Sequence, residues 1–491
     1  MMRQSGVILH ISSLPSPYGI GSMGTEARRF VDFLAQAGLR YWQILPLGET
    51  NESNSPYQSP SVFAGNHLFI DLRQLCADGL LEQAEIDSVY WGSDPRRVNY
   101  PAVKSGRNLL LRRAWDRCGD RLDKELEAFA QSNSYWLPDY ARFMVMQELG
   151  DTLPERLRMG LLARSEEALR EFDRSYGRYL YYYYFLQYLF QKQWQQLREY
   201  ANGKGISFIG DIPIYVAASS ADVWAHPELF CLDGNGQMAD QAGCPPDGFS
   251  AVGQMWGNPL YNWQEMAKQD YKWWAERLKQ CHLLCDKVRL DHFRGFEAYY
   301  SIPANAETAL EGHWIEGPGV AFFDSMKCQV EGLDLIAEDL GTLTDGVHQL
   351  RQAVGCPGMA VLQFAFDGDN SNTYLPHNMT RDRIMYTGTH DNDTLLGWWQ
   401  SLPEWQRSYC GFYARPGWER PWWDMMGTAW ATVCDLAMAQ MQDFLGLDGS
   451  CRMNVPGKTE GNWGWRMLPG EATDDLARSI RDLNHLYCRD N

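Results

Sequence analysis

Residues 287–296 read Lys287-Val288-Arg289-Leu290-Asp291-His292-Phe293-Arg294-Gly295-Phe296. A short, largely apolar run that stops at an acid and a glycine-containing turn is how a buried strand of a parallel sheet reads. Side chains alternate faces along a strand, so Arg289 and Asp291 point the same way. A guanidinium beside a carboxylate favours the ionised acid. A glycosidic nucleophile needs that state, and a buried structural ion pair would use the same two residues.

Seven more stretches share the pattern. The run 6–11 is followed by Ser12-Ser13-Leu14-Pro15-Ser16-Pro17-Tyr18-Gly19, 41–45 by Pro46 and Gly48, and 206–209 by Gly210-Asp211. Further on, 333–337 leads into Glu338-Asp339, 360–366 into Asp367-Gly368, 384–386 towards His390-Asp391, and 452–455 stops at Pro456-Gly457. Between them lie helical stretches such as 24–38, where Thr25 is placed to cap and Phe30, Phe33 and Leu34 recur at helical spacing. Eight strands with helical crossovers predict an α/β chain folded as a (β/α)8 TIM barrel.

Two intervals are too long for simple crossovers. Residues 73–200 are charged, Trp- and Tyr-rich helical sequence, with 179–194 as the clearest helix, and 218–283 begin as a Gly-, Pro- and Asp-rich loop and end helical over 264–284. The expected plan is the first two barrel strands in 1–72, a mainly helical insertion in 73–200, strand three in 201–217, a substrate-shaping insertion in 218–283 and the rest of the barrel in 284–491. Both insertions are expected at the C-terminal rim of the strands, where loops of this fold shape the substrate.

The whole composition fits a globular chain: 45% hydrophobic and 22% charged residues over 491 positions. A formal net charge of −18 repels a phosphate backbone and an anionic leaflet, so nucleic acid and membrane are poor partners and a neutral substrate fits better. The twelve cysteines are scattered, and Cys281 and Cys285, a helical turn apart, have no second pair to complete a zinc site. They read as reduced core thiols. The apolar run 7–11 is too brief for a signal peptide, which places the expected location in the cytoplasm. Aromatic residues reach 13%, mostly core material, with some left to serve as platforms for sugar rings.

Acids stand at or near the C-terminal ends of four expected strands: Asp211, Asp291, Glu338 and Asp391. In a barrel those ends converge on one mouth. Any one of them alone would read as a helix cap or a surface acid. Glu338 follows an apolar run, where low-dielectric surroundings keep a carboxyl protonated, as a general acid requires. Retaining glycosidases use one carboxylate as nucleophile and a second carboxyl about 5–5.5 Å away as acid/base.

The sequence resembles the amylomaltase and disproportionating-enzyme family, glycoside hydrolase family 77. The motifs that carry the resemblance run almost from end to end: residues 12–21, Ser55-Pro56-Tyr57-Gln58-Ser59, Gly210-Asp211-Ile212-Pro213-Ile214-Tyr215-Val216, Trp256-Gly257-Asn258-Pro259-Leu260-Tyr261, residues 289–296, Ala337-Glu338-Asp339-Leu340-Gly341, Thr389-His390-Asp391-Asn392, and Arg452-Met453-Asn454 with Pro456-Gly457. The resemblance implies a 4-α-glucanotransferase with Asp291 as nucleophile, Glu338 as acid/base and Asp391 as transition-state stabiliser. It implies substrate contacts at Tyr57, Asp211, Trp256, Arg289, His292, His390 and Asn454, and at Phe249 on a substrate loop, with no metal or organic cofactor. The implied donors are maltooligosaccharides and α-1,4-glucans, and the acceptors glucose or maltose. The chain departs from the family's common pattern at Gly248, Met255 and His67. Two other readings are an amylase-like hydrolase with the same carboxylates and a non-catalytic glucan-binding protein. Product analysis separates the first, and the presence of both candidate catalytic carboxyls weighs against the second.

Overall fold

The computed structural model describes residues 3–490 except 247–249, 342, 416, 418 and 459. Twelve strands are present among them: β1 (Gln4–Ile8), β2 (Tyr41–Gln43), β3 (Ser207–Ile212), β4 (Asp240–Cys244), β5 (Gln254–Pro259), β6 (Lys287–Leu290), β7 (Ala298–Pro303), β8 (His313–Glu316), β9 (Leu335–Ala337), β10 (Gly358–Val361), β11 (Arg383–Tyr386) and β12 (Leu436–Gln440). Eight of them, in the order β1-β12-β11-β10-β9-β6-β3-β2, close a parallel barrel. The α/β barrel expected from the spacing of apolar runs is therefore the architecture of the chain.

Period-two alternation fills the barrel. Ile8, Ile209, Ile336, Met359, Val361, Ile384, Tyr386, Leu436 and Met438 form one apolar cluster contributed by six strands. Their sequence neighbours, such as Phe208, Met385, Ala437 and Ala439, pack outward in the main core with the surrounding helices. Tyr386 Oη donates to Gln43 Oε1 at 2.9 Å, so the phenol is satisfied inside the barrel.

Seven of the eight expected runs overlap barrel strands; the eighth does not. Residues 452–455 are a loop, and the closing strand is Leu436–Gln440, paired to β1 at Gln4↔Leu436 and to β11 at Ile384↔Leu436. Its sequence, LAMAQ, is built of strong helix formers. Pairing with two neighbours overrides that propensity, and the outward alanines keep the strand slim beneath its helices. Thr25 is likewise not a cap: it is the first residue of the helix Thr25–Gln36, and Gly24 holds the cap position. A Cβ on Gly24 would lie 2.0 Å from Asp71 Oδ2, which excludes a side chain there.

Between β2 and β3 the chain forms helices, the longest spanning Glu166–Gly203 with non-helical dihedrals at Tyr176. Between β3 and β6 lie β4 and β5, which the Gly-, Pro- and Asp-rich sequence does not advertise. They join β7 and β8, from beyond the fourth barrel strand, in an antiparallel sheet of order β5-β4-β7-β8. Polar β4, with a glycine near its end, is a strand because the aromatic β7 and the β5 edge both pair with it. All twelve cysteines are free thiols, and Cys328 and Cys488 are exposed rather than core residues. Among the described residues no helix is long and apolar enough to cross a membrane.

Candidate active site

At the C-terminal end of the barrel the inward positions change from apolar to charged. Asp211 follows Ile209 on the inner face of β3, Arg289 sits on the inner face of β6, and Asp291 and Glu338 lie just past β6 and β9. A cleft of about 810 Å3 opens above this layer, lined by Tyr57, Trp256, Arg289, Asp291, His292, Glu338, His390, Asp391 and Asn454 among others.

Arg289 organises the floor. Its Nη1 donates to Asp211 Oδ1 at 2.7 Å and Oδ2 at 2.9 Å, and to Asp291 Oδ1 at 2.8 Å. The arginine side chain is only 4% exposed, Asp211 is sealed, and Asp291 keeps 29% of its side chain open to the cleft. Among the described residues nothing donates to Asp291 Oδ2, which leaves it the oxygen available to a ligand. Burial alone would lower the Arg289 guanidinium, yet the two carboxylates outweigh it and hold it well above its ordinary value. Asp211 lies behind the cleft wall, where burial raises its carboxyl against the pull of Arg289.

Glu338 has the opposite surroundings. Burial pushes its carboxyl up to about 8, with Arg289 opposing and Asp291 adding to the rise. The backbone N–H of His292 donates to Glu338 Oε2 at 2.7 Å and that of Leu340 to Oε1 at 3.2 Å. The first of these depends on His292 adopting φ 53°, ψ 50° in the left-handed region, a conformation costing about 1–2 kcal/mol for a residue with a Cβ. Burial also brings the His292 imidazole down to about 4, so it is neutral at ordinary pH, with Trp256 packed edge-on at 4.9 Å.

A second cluster closes the other flank. His390 Nε2 lies 3.3 Å from Asp391 Oδ2, and Asn454 Nδ2 donates to Asp391 Oδ1 at 2.5 Å. Burial by itself would raise Asp391, but His390 and Asn454 bring its carboxyl down to about 2. Burial works against a charged His390, yet the Asp391 carboxylate raises it above the usual imidazole value. Tyr57 stacks on His390 at 5.1 Å and donates from Oη to Asp211 Oδ2 at 2.8 Å. The loop 452–455 serves this cluster: Arg452 Nη2 donates to the Asp391 carbonyl, and the Asn454 N–H donates to the His390 carbonyl at 3.1 Å.

A buried arginine between two acids, a recessed carboxyl with a raised value and an Asp–His–Asn cluster thus surround one cleft. Residues 9–471 match the family model described as 4-α-glucanotransferase. The chain belongs to the 4-α-glucanotransferase family. Its members are glycosyltransferases acting on α-1,4-glucans, and this chain is one of them. It is 46% identical to the 4-α-glucanotransferase of Streptococcus pneumoniae, over 100% of this chain and 98% of that one. It is 42% identical to that of Thermus thermophilus, covering 98% of each. The solved amylomaltase of Streptococcus agalactiae, in complex with acarbose, superposes with a TM-score of 0.96 at 38% identity over the full length of both chains.

Of the residues singled out by sequence, the structure gathers Asp291, Glu338, Asp391, Tyr57, Trp256, Arg289, His292, His390 and Asn454 around the cleft, with Asp211 behind it. Phe249 and Gly248 lie outside the described residues. Met255 projects outward, 41% exposed, and His67 Nδ1 pairs with Glu49 Oε1 at 2.9 Å, away from the cleft. Trp314 and Trp463 also line the cleft and were not anticipated. Trp463 stands beyond the last motif, and Trp314 lies on a short, largely exposed strand, HWIE, in which only Trp314 and Ile315 are apolar.

Proposed function

We propose that the cleft carries out retaining transfer of an α-1,4-glucan segment between maltooligosaccharides through a covalent glucosyl-enzyme. Asp291 Oδ2 attacks the anomeric carbon, and the bond from that carbon to the glycosidic oxygen breaks as Glu338 gives its proton to the leaving sugar. The 4-hydroxyl of an acceptor glucose or glucan then loses its proton to Glu338 while its oxygen attacks the same carbon. The ester to Asp291 breaks and both carboxyls return to their starting states. Asp391, with His390 and Asn454, binds hydroxyls of the donor sugar and favours its positively charged transition state. Arg289 holds Asp291 in place through Nη1, which donates to Oδ1, and Asp211 acts one step back by orienting Arg289 and Tyr57.

The observation that carries this reading is the contrast between two carboxyls in one cleft: Asp291 on an arginine, Glu338 buried and raised to about 8. A carboxylate on an arginine and open to the cleft suits the nucleophile, and a buried carboxyl raised in this way suits the acid. The insertions 73–200 and 218–283 are read as walls of the mouth that favour a bound acceptor over free water, and the site of action as the cytoplasm. A surface of charge −18 neither attracts nor repels a neutral glucan.

Maltotriose tests transfer directly. The expected products are glucose and a ladder of longer maltooligosaccharides, with a reducing-end count that stays level because each bond broken is remade. Steadily rising reducing ends and products that only shorten would make the chain a hydrolase.

The pH profile follows from Glu338. An acid whose value is raised holds its proton to higher pH, so the form able to protonate a leaving sugar prevails below about 8 and is lost above it. For maltotriose kcat/KM is expected to fall tenfold per pH unit above that point. Donors with a fluoride leaving group, which need no proton, should show a much shallower fall in the rate of fluoride release. Parallel alkaline limbs for the two donors would remove Glu338 from the acid's role.

A further inference from the structure

We propose that Trp314 is an acceptor-side sugar platform, a residue that sets how well an incoming glucan competes with water; this rests on the transfer reading above. Trp314 stands on the edge strand β8, opposite Tyr300 of β7, and lines the cleft. Trp256 lines it from β5, the other edge of the same four-stranded sheet. Of the aromatic side chains lining the cleft among the described residues, Trp314 is the most exposed, at 38%. An indole left in water forfeits its large apolar burial, and the C–H face of a pyranose is a surface that restores it.

The indole is also held still. The Arg294 guanidinium carbon lies 3.8 Å from its ring centre, and the Tyr300 ring meets it edge-on at 5.0 Å. A platform fixed in this way loses little side-chain freedom when a sugar settles on it.

Its flank of the cleft is set by the backbone. Arg294 follows His292 and Phe293, whose N–H groups donate to Glu338 Oε2 at 2.7 Å and to the Glu338 carbonyl at 3.1 Å. The segment that carries the arginine beneath the indole is thus tied through its backbone to Glu338. The Tyr57, His390, Asp391 and Asn454 cluster is tied instead to Asp211 and to the loop beyond β11. In retaining transfer the acid/base carboxyl touches the leaving and then the incoming oxygen, so its flank is the acceptor's.

The test uses the full chain with α-maltosyl fluoride as donor and maltose as acceptor, reading fluoride release in the first turnover, acceptor KM and the ratio of transfer to hydrolysis. Trp314→Ala is expected to raise the maltose KM about tenfold and lower the transfer ratio by a similar factor, in line with the loss of one aromatic stack. First-turnover fluoride release should slow far less, and Trp314→Phe should recover most of the transfer. A maltose KM within twofold of that of the unsubstituted protein overturns the proposal. So does a loss of fluoride release as large as the loss of transfer, which would assign Trp314 to the donor or to the fold. If transfer itself is misread, the unsubstituted protein makes no product longer than its donor, a failure visible before any variant is made.

Discussion

Replacing Asp291 with asparagine is expected to lower turnover of maltotriose by at least about 10^4-fold, because an amide oxygen does not form the glycosyl ester and the remaining groups cannot replace it. The fold should survive. Arg289 keeps both bonds to Asp211, at 2.7 and 2.9 Å, so the buried guanidinium is not left without a counter-charge. Near-UV circular dichroism and the thermal midpoint should therefore stay close to those of the unsubstituted protein. Maltosyl fluoride provides a second check: the variant should release no burst of fluoride, since the carbon–fluorine bond breaks only under attack by this carboxylate. A rate within tenfold of the original, from a correctly folded variant, would dismiss Asp291 as nucleophile.

Glu338→Gln should cost about 10^3- to 10^4-fold on maltotriose, and the pattern of what survives is more telling than the loss. Its first step should persist with maltosyl fluoride, whose leaving group needs no proton. The second step should then stall, because nothing takes the proton from an incoming sugar, and the maltosyl-enzyme should accumulate as a mass adduct on Asp291. Azide, which attacks without a base, should restore turnover and yield the α-glycosyl azide. The alkaline limb set by the value of about 8 should vanish with the carboxyl. The amide's NH2 must face either the His292 or the Leu340 N–H, so stability should fall by about 1 kcal/mol for one lost acceptor. Equal losses with maltotriose and with the fluoride, and no azide rescue, would reassign Glu338 to a structural role.

These expectations rest on two different kinds of information. The alternation of apolar and polar residues determined, without any coordinates, that runs such as Lys287–Leu290 are buried strands with Arg289 and Asp291 on one face, since a strand has a fixed period of two. The same alternation put Glu338 at the end of an apolar run. Barrel topology, once inferred, already implied that acids as far apart as Asp211 and Asp391 would meet at one mouth. Local patterns of this kind are written residue by residue and can be read that way.

What the tertiary structure decided were the features that depend on neighbours from distant sequence. Leu436–Gln440 became the closing strand because β1 and β11 needed a partner, against the helical preference of its Leu, Ala and Met. Residues 452–455, freed from that position, became the arm that brings Asn454 onto Asp391. Asp211 proved to be one layer behind the cleft, a depth that no spacing encodes because it is set by the Arg289 and Tyr57 side chains packed in front of it. The exposure of Trp314 is a property of a four-stranded sheet assembled from two separate stretches of chain, and pairing across such distances leaves no periodic trace in either stretch.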